Sequence, residues 1–212
     1  MTTQKRIGLA LGGGAARGLA HIPLLEVLDD LGVVPAVIAG SSMGALVGAA
    51  YASGCPGREI RDHALRLLSN RMDMVRHVFG TKNFKPQSLL SLHGLHSLHF
   101  EGRTVAELML PSSVPALIED TKIPMKIVTT DFTDMVEHVI ERGSLHEAVG
   151  ASIAIPGLIG GPIIDGHIHV DGGITNPVPF DRVRANVDLV VAIDVTGRSR
   201  PSSVSRPSNI EV

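Results

Sequence analysis

Residues 33–52, VVPAVIAGSSMGALVGAAYA, predict a strand, a tight turn and a helix in direct succession. The apolar residues 33–39 are typical of a buried strand, and residues 43–53 of a helix that ends at Gly54. Between them, Gly40 and Gly44 flank Ser42 in a Gly-x-Ser-x-Gly pentapeptide. Glycines at both flanks permit a sharp turn that pushes the serine hydroxyl outward. This context predicts a nucleophile elbow, and a plain tight turn between two core elements is the alternative.

The whole chain has 212 residues, enough for one domain with a sizeable core. Its mean hydropathy of +0.24 is high, yet no apolar run reaches the roughly 18 residues that indicate a membrane span. The first residues lack the long apolar region of a secretion signal. Cys55 is the only cysteine, which excludes an intrachain disulfide and a cysteine-based zinc site. We therefore expect a cytoplasmic protein.

Charge and aromatic content argue against a nucleic-acid partner, because the net charge is −2, aromatics make up 3% of the chain and tryptophan is absent. One segment departs from this balance: residues 58–85 hold seven basic and three acidic side chains, with apolar positions at helical spacing. The segment is interpreted either as an ordinary surface helix or as a lid in peripheral contact with an anionic membrane surface, which would place the protein at the inner membrane.

Strand and helix patterns alternate along the chain, which predicts an α/β fold with a mixed, mostly parallel sheet. Pro23 lies inside the first predicted helix and is expected to kink it. Asp165-Gly166 predicts a hairpin turn, and Ser144 with Glu147 predicts a capping box. The other predicted strands are residues 7–11, 125–130, 136–140, 163–164, 167–170 and 189–195. The other predicted helices are 18–31, 58–79, 103–110, 113–120 and 144–153, and residues 93–100 are expected to be irregular.

A glycine-rich turn, LGGGAARG at residues 11–18, follows the first predicted strand. A dinucleotide fingerprint would need glycine at Arg17 or at Ala15, and the Lys-Ser/Thr pair of a P-loop is absent. Backbone N–H groups at the start of a helix can instead stabilise the negative charge that develops in acyl transfer. The turn therefore predicts an oxyanion hole, with a simple strand–helix turn as the alternative.

An aspartate beside two glycines follows the predicted hairpin strand, in Val170-Asp171-Gly172-Gly173. Such an aspartate can approach another backbone closely, or it can simply cap a turn. His21, His167 and His169 lie near these motifs and suggest a Ser-His-Asp triad, or a metal held by the last two. We expect neither, and we expect the loop histidines His93, His96 and His99 to be solvated.

In this order, Gly-Gly-Gly-x-x-Arg-Gly, Gly-x-Ser-x-Gly and Asp-Gly-Gly resemble the motifs of the patatin-like phospholipases. The chain is most similar to their bacterial, neuropathy-target-esterase-like branch, and the resemblance runs from about residue 7 to 195. Supporting matches are Ala20-His21-Ile22, Thr130-Asp131, Ala151-Ser152-x-Ala154-x-Pro156 and Asn176-Pro177-x-Pro179.

The resemblance implies a three-layer α/β/α fold with a mostly parallel central sheet, formed by residues 1–195 as one hydrolase domain. It implies Ser42 as the nucleophile and Asp171 as its base, in a dyad without a catalytic histidine. Oxyanion donors would be the amides of Gly13, Gly14 and Ala15, with Arg17 fixing the loop and adding a positive field. The Ser/Pro/Arg-rich tail, residues 196–212, is expected to be poorly ordered unless it docks.

The implied activity is that of a serine esterase acting on phospholipid or lysophospholipid acyl esters, without a cofactor or metal. Alternatives are a thioesterase or acyltransferase using the same dyad, a non-catalytic regulatory module that retains the fold, and a nucleotide-binding domain, which the missing glycine disfavours. Members of this branch continue past the last strand with further helices, so the chain is expected to be a fragment or a truncated variant. Neither the oligomeric state nor the acyl and head-group preference follows from the sequence.

Overall fold

A computed structural model describes residues 5–69 and 100–197. The strands are β1 Ile7–Leu11, β2 Val37–Ser41, β3 Phe100–Glu101, β4 Met125–Asp131, β5 Val136–Ile140, β6 Ile159–Gly160, β7 Ile163–Ile164, β8 His167–Asp171 and β9 Leu189–Ile193. The helices are α1 His21–Asp30, α2 Met43–Ala52, α3 Gly57–Ser69, α4 Gly102–Met109 and α5 Leu145–Ser152. Within these ranges no helix is long and apolar enough to cross a bilayer.

The main sheet has the strand order β7-β8-β4-β2-β1-β9, with β5 also paired to β4. Strands β4, β2, β1 and β9 run parallel, whereas β5, β7 and β8 join as antiparallel strands. The short strands β3 and β6 form a separate parallel pair. The predicted α/β class and the mixed sheet with its parallel part are thereby confirmed.

Successive side chains of a strand point to opposite faces of the sheet, so each strand contributes to two packed layers. On one face, Leu9, Ile38 and Ile127 join the buried side chains of all five helices in the large core cluster. On the other face, Ala10 and Ala39 pack against Val183 of the 3₁₀ turn Phe180–Val183. In the described ranges the helices thus pack on one face of the sheet and this turn covers part of the other, in agreement with the expected three-layer α/β/α fold.

Strands β2 and β8 both pair with the same edge of β4, one after the other along its length. Ser41, the last residue of β2, pairs with Val128, and the next residue of β4, Thr129, pairs with Asp171 of β8. Thr129 also pairs with His138 of β5, which must therefore occupy the opposite edge. Because β2 runs parallel and β8 antiparallel to β4, the C-terminal ends of β2 and β8 meet end to end.

The first predicted helix differs from the observed one at its start. Residues Ala15–Ala20 form a 3₁₀ turn, and the α-helix begins only at His21. Pro23 thus lies in the first turn of α1, where the backbone N–H has no intrahelical acceptor to lose. The predicted kink at Pro23 is therefore wrong. The helix ends at Asp30, and Gly32, with a φ of +64°, turns the chain away two residues later.

Several other boundaries differ from the predictions. Strand β2 begins at Val37 rather than at residue 33, and Val34 is 68% exposed. Of the predicted helix 113–120 only the 3₁₀ turn Ile118–Asp120 forms, because Pro115 interrupts the segment. The last strand ends at Ile193 instead of residue 195. Predictions for residues 70–99 and 198–212 lie outside the described residues.

Two local predictions are confirmed. Asp165 and Gly166 both have positive φ, 53° and 86°, as the two-residue turn between β7 and β8 requires. The Ser144 hydroxyl accepts the Glu147 N–H at 3.3 Å, which confirms Ser144 as the N-cap of α5, one half of the predicted capping box. Both features matter for the site, since they set where β8 and α5 begin.

Candidate active site

Ser42 lies in a sharp turn between β2 and α2, with a φ of 52° and a ψ of −123°. This region of backbone conformation is costly for a residue with a side chain, so the surroundings must hold it in place. A Cβ on Gly44 would collide with the Leu11 carbonyl oxygen, and one on Gly40 would lie 2.5 Å from the Gly44 carbonyl oxygen. Gly40 is therefore needed for β2 and α2 to pack this closely, and Gly44 for α2 to approach β1.

The side chains of Ser42 and Asp171 meet although 129 residues separate them in sequence. The Ser42 hydroxyl donates to Asp171 Oδ2 at 2.6 Å, and the Gly173 N–H donates to Oδ1 at 2.7 Å. A Cβ on Gly172 would collide with the Val128 carbonyl oxygen, so only glycine lets the chain pass β4 here. The turn thus presents the Asp171 carboxylate to Ser42 in a defined orientation.

Three further groups hold the backbone of this pair. Thr130 Oγ1 donates to the Asp171 carbonyl at 2.9 Å, and the Asp171 N–H donates to the Ala154 carbonyl at 2.9 Å. The Ser42 N–H donates to Ser152 Oγ, also at 2.9 Å. No role for these residues followed from their local sequence, and the only signal for them was their place in the supporting matches.

Burial raises the pKa of Asp171 above the usual value of an aspartate, while the hydrogen bonds from Ser42 and Gly173 act in the opposite direction. A carboxylate with a raised pKa is a stronger base than aqueous aspartate, whose pKa of about 3.9 makes it a poor proton acceptor. The half-buried position of Asp171 therefore improves its ability to take a proton from Ser42.

This shift leads to a pH prediction. If Asp171 is the base of the predicted dyad, hydrolysis of a neutral ester needs its ionised form, and kcat/KM should fall as the pH falls through the raised pKa of this group. The acid limb of the profile should therefore lie above the pKa of an exposed aspartate. Rates of p-nitrophenyl butyrate hydrolysis measured across the pH range where the protein stays folded would check this. An acid limb at or below the ordinary aspartate value would contradict it.

The glycine-rich turn lies beside Ser42, because a Cβ on Gly13 would come within 3.2 Å of the Ser42 Cβ. The Gly13 N–H donates to the Pro177 carbonyl at 2.9 Å, so the prediction of Gly13 as a free donor is wrong. Among the described residues, the N–H groups of Gly14 and Ala15 have no acceptor. Ala15 has a φ of 47°, which marks the sharp change of direction at the start of the 3₁₀ turn.

Arg17 links this turn to the segment after β9. Its Nη1 donates to the Thr196 carbonyl at 2.9 Å, and a Cβ on Gly14 would come within 2.5 Å of the Val195 side chain. Thr196, the first residue of the predicted tail, thus lies against the glycine-rich turn. This hydrogen bond from Arg17 is one that could fix the loop, which is the role expected of this residue.

The family model of the patatin-like phospholipases matches residues 9–184 of the chain. The protein belongs to the patatin-like phospholipase family. This assignment agrees with the resemblance of the three motifs and with the fold around the elbow.

Relatives of this patatin-like protein come from bacteria and animals. An NTE family protein of Mycobacterium tuberculosis is 35% identical over 92% of this chain and 51% of its own length. Neuropathy target esterase sws of Drosophila melanogaster is 34% identical over 91% of this chain and 13% of its own. VipD from Legionella pneumophila, a solved structure, has a TM-score of 0.46 and 14% identity over 81% of this chain and 46% of its own. The chain therefore spans about half or less of the length of these relatives.

His21 and His169, which were considered for a triad, are held by other partners in the described structure. His21 Nε2 donates to the Gly12 carbonyl at 2.8 Å, and His169 Nδ1 lies 2.9 Å from Thr129 Oγ1. Burial lowers the pKa of both imidazoles, which favours their neutral forms. In the described ranges neither one hydrogen-bonds to Ser42 or Asp171, so the geometry offers no Ser-His-Asp triad there.

The pair His167 and His169 does not form the metal site considered for it. His169 turns inward to Thr129, whereas His167 Nδ1 lies 2.7 Å from Asp131 Oδ2. The ligand atoms of Asp131, Asp134 and His167 lie within 4.8 Å of one another. Asp131 Oδ1 already accepts the Thr133 N–H at 2.8 Å, so this carboxylate closes the β4–β5 turn.

A cavity of about 640 Å³ opens beside the elbow in the patatin-like domain. Its walls include Met43, which directly follows Ser42, together with apolar side chains of α2, α3 and α4. Helix α3 is the described part of the predicted basic segment. It contributes Ala64 and, as an exposed residue, Arg66 to the lining. Residues 70–85 of that segment lie outside the described residues.

Two of the three arginines in α3 are engaged in ion pairs on the protein surface. Arg58 pairs with Asp30 at 3.0 Å and Arg61 with Glu26 at 2.6 Å. These acidic partners reduce the positive field of this half of the segment. Contact with an anionic membrane therefore stays a prediction that depends on Arg66 and on the rest of the segment.

Proposed function

We propose that this protein is a serine esterase that hydrolyses acyl esters of phospholipids or lysophospholipids through a Ser42–Asp171 dyad. The observation that supports it most strongly is the 2.6 Å hydrogen bond from the Ser42 hydroxyl to Asp171 Oδ2 at the elbow. A nucleophile and a base within hydrogen-bond reach are the minimum that acyl transfer requires. Relatives named phospholipases and esterases agree with an ester of a lipid as substrate.

In the acylation step, Ser42 Oγ attacks the ester carbonyl carbon and its proton passes to Asp171 Oδ2. The carbonyl oxygen becomes an oxyanion, which the unpaired N–H groups of Gly14 and Ala15 can stabilise. Collapse of this intermediate breaks the ester C–O bond, and protonated Asp171 returns its proton to the leaving alcohol. Asp171 then takes a proton from water, which attacks the acyl-Ser42 carbonyl, and the released Ser42 oxygen recovers the proton.

The cavity beside Met43 is proposed to hold the acyl chain of the substrate. Its volume of about 640 Å³ lies within the range typical of small-molecule sites, and its walls are predominantly apolar. Met43 adjoins Ser42 and lines the cavity, whereas Ser42 and Asp171 do not line it, so an acyl group bound to Ser42 Oγ would have to pass Met43 to enter this space. The substrate preference then follows from how many methylene groups the cavity buries.

Partial filling of the cavity should therefore select against long acyl chains. Ala64→Phe adds a ring to the lining from α3, whereas Leu65→Phe changes a neighbouring residue that is 53% exposed and does not line the cavity. Each buried methylene is worth about 0.8 kcal/mol, or roughly fourfold in kcat/KM. We expect Ala64→Phe to lower kcat/KM for p-nitrophenyl decanoate by about tenfold or more and to spare the acetate ester.

The control Leu65→Phe should keep the chain-length profile of the wild type. Equal loss on acetate and decanoate in Ala64→Phe would show that the change disturbs the elbow rather than an acyl site. An unchanged profile would place the acyl chain outside this cavity.

Covalent labelling tests the function itself. A fluorophosphonate should modify Ser42 with one-to-one stoichiometry, and peptide mass spectrometry would locate the label. Vesicles of phosphatidylcholine and micelles of lysophosphatidylcholine, analysed for released fatty acid, would test the substrate class. A protein that neither labels at Ser42 nor releases fatty acid would refute the proposal.

A further inference from the structure

The hydrogen bonds between β2 and β4 follow a regular pattern up to the elbow. The Ile38 N–H donates to the Pro124 carbonyl at 2.9 Å, at the start of the parallel ladder. The register advances one residue at a time to the pair Ser41 and Val128. In a parallel ladder every second residue of a strand donates to the same neighbour. If this pattern continued to the end of the ladder, the Ser42 N–H would donate to the Val128 carbonyl.

The hydroxyl of Ser152 lies between these two groups instead. It accepts the Ser42 N–H at 2.9 Å and donates to the Val128 carbonyl at 2.6 Å. Ser152 is the last residue of α5 and is completely buried. Its hydroxyl lets Ser42 leave the ladder with a positive φ while both backbone groups stay paired, which buried polar groups require.

The same short segment also holds the other half of the dyad. Two residues after Ser152, the Ala154 carbonyl accepts the Asp171 N–H at 2.9 Å. The segment is anchored by α5, whose Leu145 and Val149 are fully buried in the core. Residues 152–154 therefore fix the backbones of Ser42 and Asp171 relative to each other.

We infer that Ser152 is a positioning residue, whose hydroxyl replaces the last ladder bond and holds Ser42 Oγ toward Asp171. This inference rests on the proposed function, because it concerns the reactivity of Ser42. Ser152 itself takes no part in the bond changes and acts through the Ser42 backbone. Its role accounts for the Ala-Ser-x-Ala-x-Pro stretch, to which neither the fold nor the dyad assigns a function.

The test compares Ser152→Ala with Ser53→Ala. Ser53 also lies at the end of a helix and donates to a backbone carbonyl, that of Ala49, at 2.7 Å, but it does not contact the elbow. In Ser152→Ala the rate constant for fluorophosphonate labelling should fall by about 10²-fold, since small misplacements of reacting groups have effects of this size. The fraction of protein that finally labels should stay complete. Ser53→Ala should label at the wild-type rate.

Hydrogen exchange of the Ser42 amide, followed by NMR, gives a readout that does not depend on activity. The amide should be protected in the wild type and in Ser53→Ala, and exposed to exchange in Ser152→Ala. Ser152→Thr keeps a hydroxyl at this position and should restore both protection and most of the labelling rate.

A wild-type labelling rate in Ser152→Ala would overturn the inference. A loss of labelling rate in Ser152→Ala that matches its fraction of unfolded protein would also overturn the inference, because the hydroxyl would then stabilise the fold without positioning Ser42. Failure of the wild type to label at all would instead refute the proposed function, while the protection of the Ser42 amide would still report on the hydrogen bond to Ser152.

Discussion

Ser42→Ala should lower the rate of ester hydrolysis by about 10⁴-fold or more, because it removes the nucleophile of the proposed mechanism. Ser42 Oγ is the group that Asp171 contacts, and the alanine variant has nothing to replace it. The methyl group fits the same space, so the fold should be retained. Measured rates on p-nitrophenyl butyrate and loss of fluorophosphonate labelling would check this result.

The neighbouring serine provides a matched control. Ser41 is completely buried and its hydroxyl donates to the Asn176 carbonyl at 2.6 Å, away from Asp171. Ser41→Ala should keep the labelling of Ser42, with at most a modest change in stability. Labelling that persists in Ser42→Ala, or that disappears in Ser41→Ala with the fold intact, would assign the nucleophile to another residue.

Asp171→Asn is the second change expected to have a very large effect, again about 10⁴-fold in kcat, by analogy with amide replacements of catalytic carboxylates. Asparagine has nearly the same shape, and its amide can still hydrogen-bond to Ser42 and to the Gly173 N–H. It cannot accept the serine proton, however, so the nucleophile stays unactivated. Asp165→Asn is the control, since Asp165 lies exposed in the β7–β8 turn with a positive φ that asparagine tolerates.

The same substitution should stabilise the fold at neutral pH. Burial raises the folded-state pKa of Asp171 above that of the unfolded chain, so between these two values the folded state binds more protons. The free energy of unfolding contributed by this group therefore falls as the pH rises through that window. Asp171→Asn removes the buried charge, and its urea midpoint at pH 7 should exceed that of the wild type.

Two outcomes would contradict the role of Asp171. Retained activity in Asp171→Asn, together with its loss in His21→Gln or His169→Gln, would indicate a triad in place of the dyad. A urea midpoint below that of the wild type would show that the carboxylate stabilises the fold, contrary to the direction of its pKa shift.

Local structure at the site could be predicted because its causes are local. Gly40 is demanded by backbone contact with Gly44 and Ala45, and the Asp165-Gly166 turn by its own positive φ values, whereas the contact that demands Gly44 comes from Leu11 of β1. The error at Pro23 has a similar origin: the pattern showed a helix, but the position of its first turn depends on the 3₁₀ residues before it. Donors in the glycine-rich turn were predicted less well, since the acceptor of the Gly13 N–H is Pro177, far along the chain.

The sequence by itself determined where the elbow, the glycine-rich turn and the Asp-Gly-Gly turn lie, because their glycines mark positions where a side chain would collide with a neighbouring segment. Only the tertiary structure decided that these turns form one site. Strand β4 pairs with Ser41 at Val128 and with Asp171 at Thr129, and this register over long sequence separations brings the dyad together. Ser152 and Ala154 then fix both backbones through bonds that no local pattern encodes, since their partners are chosen by the packing of α5 against the sheet.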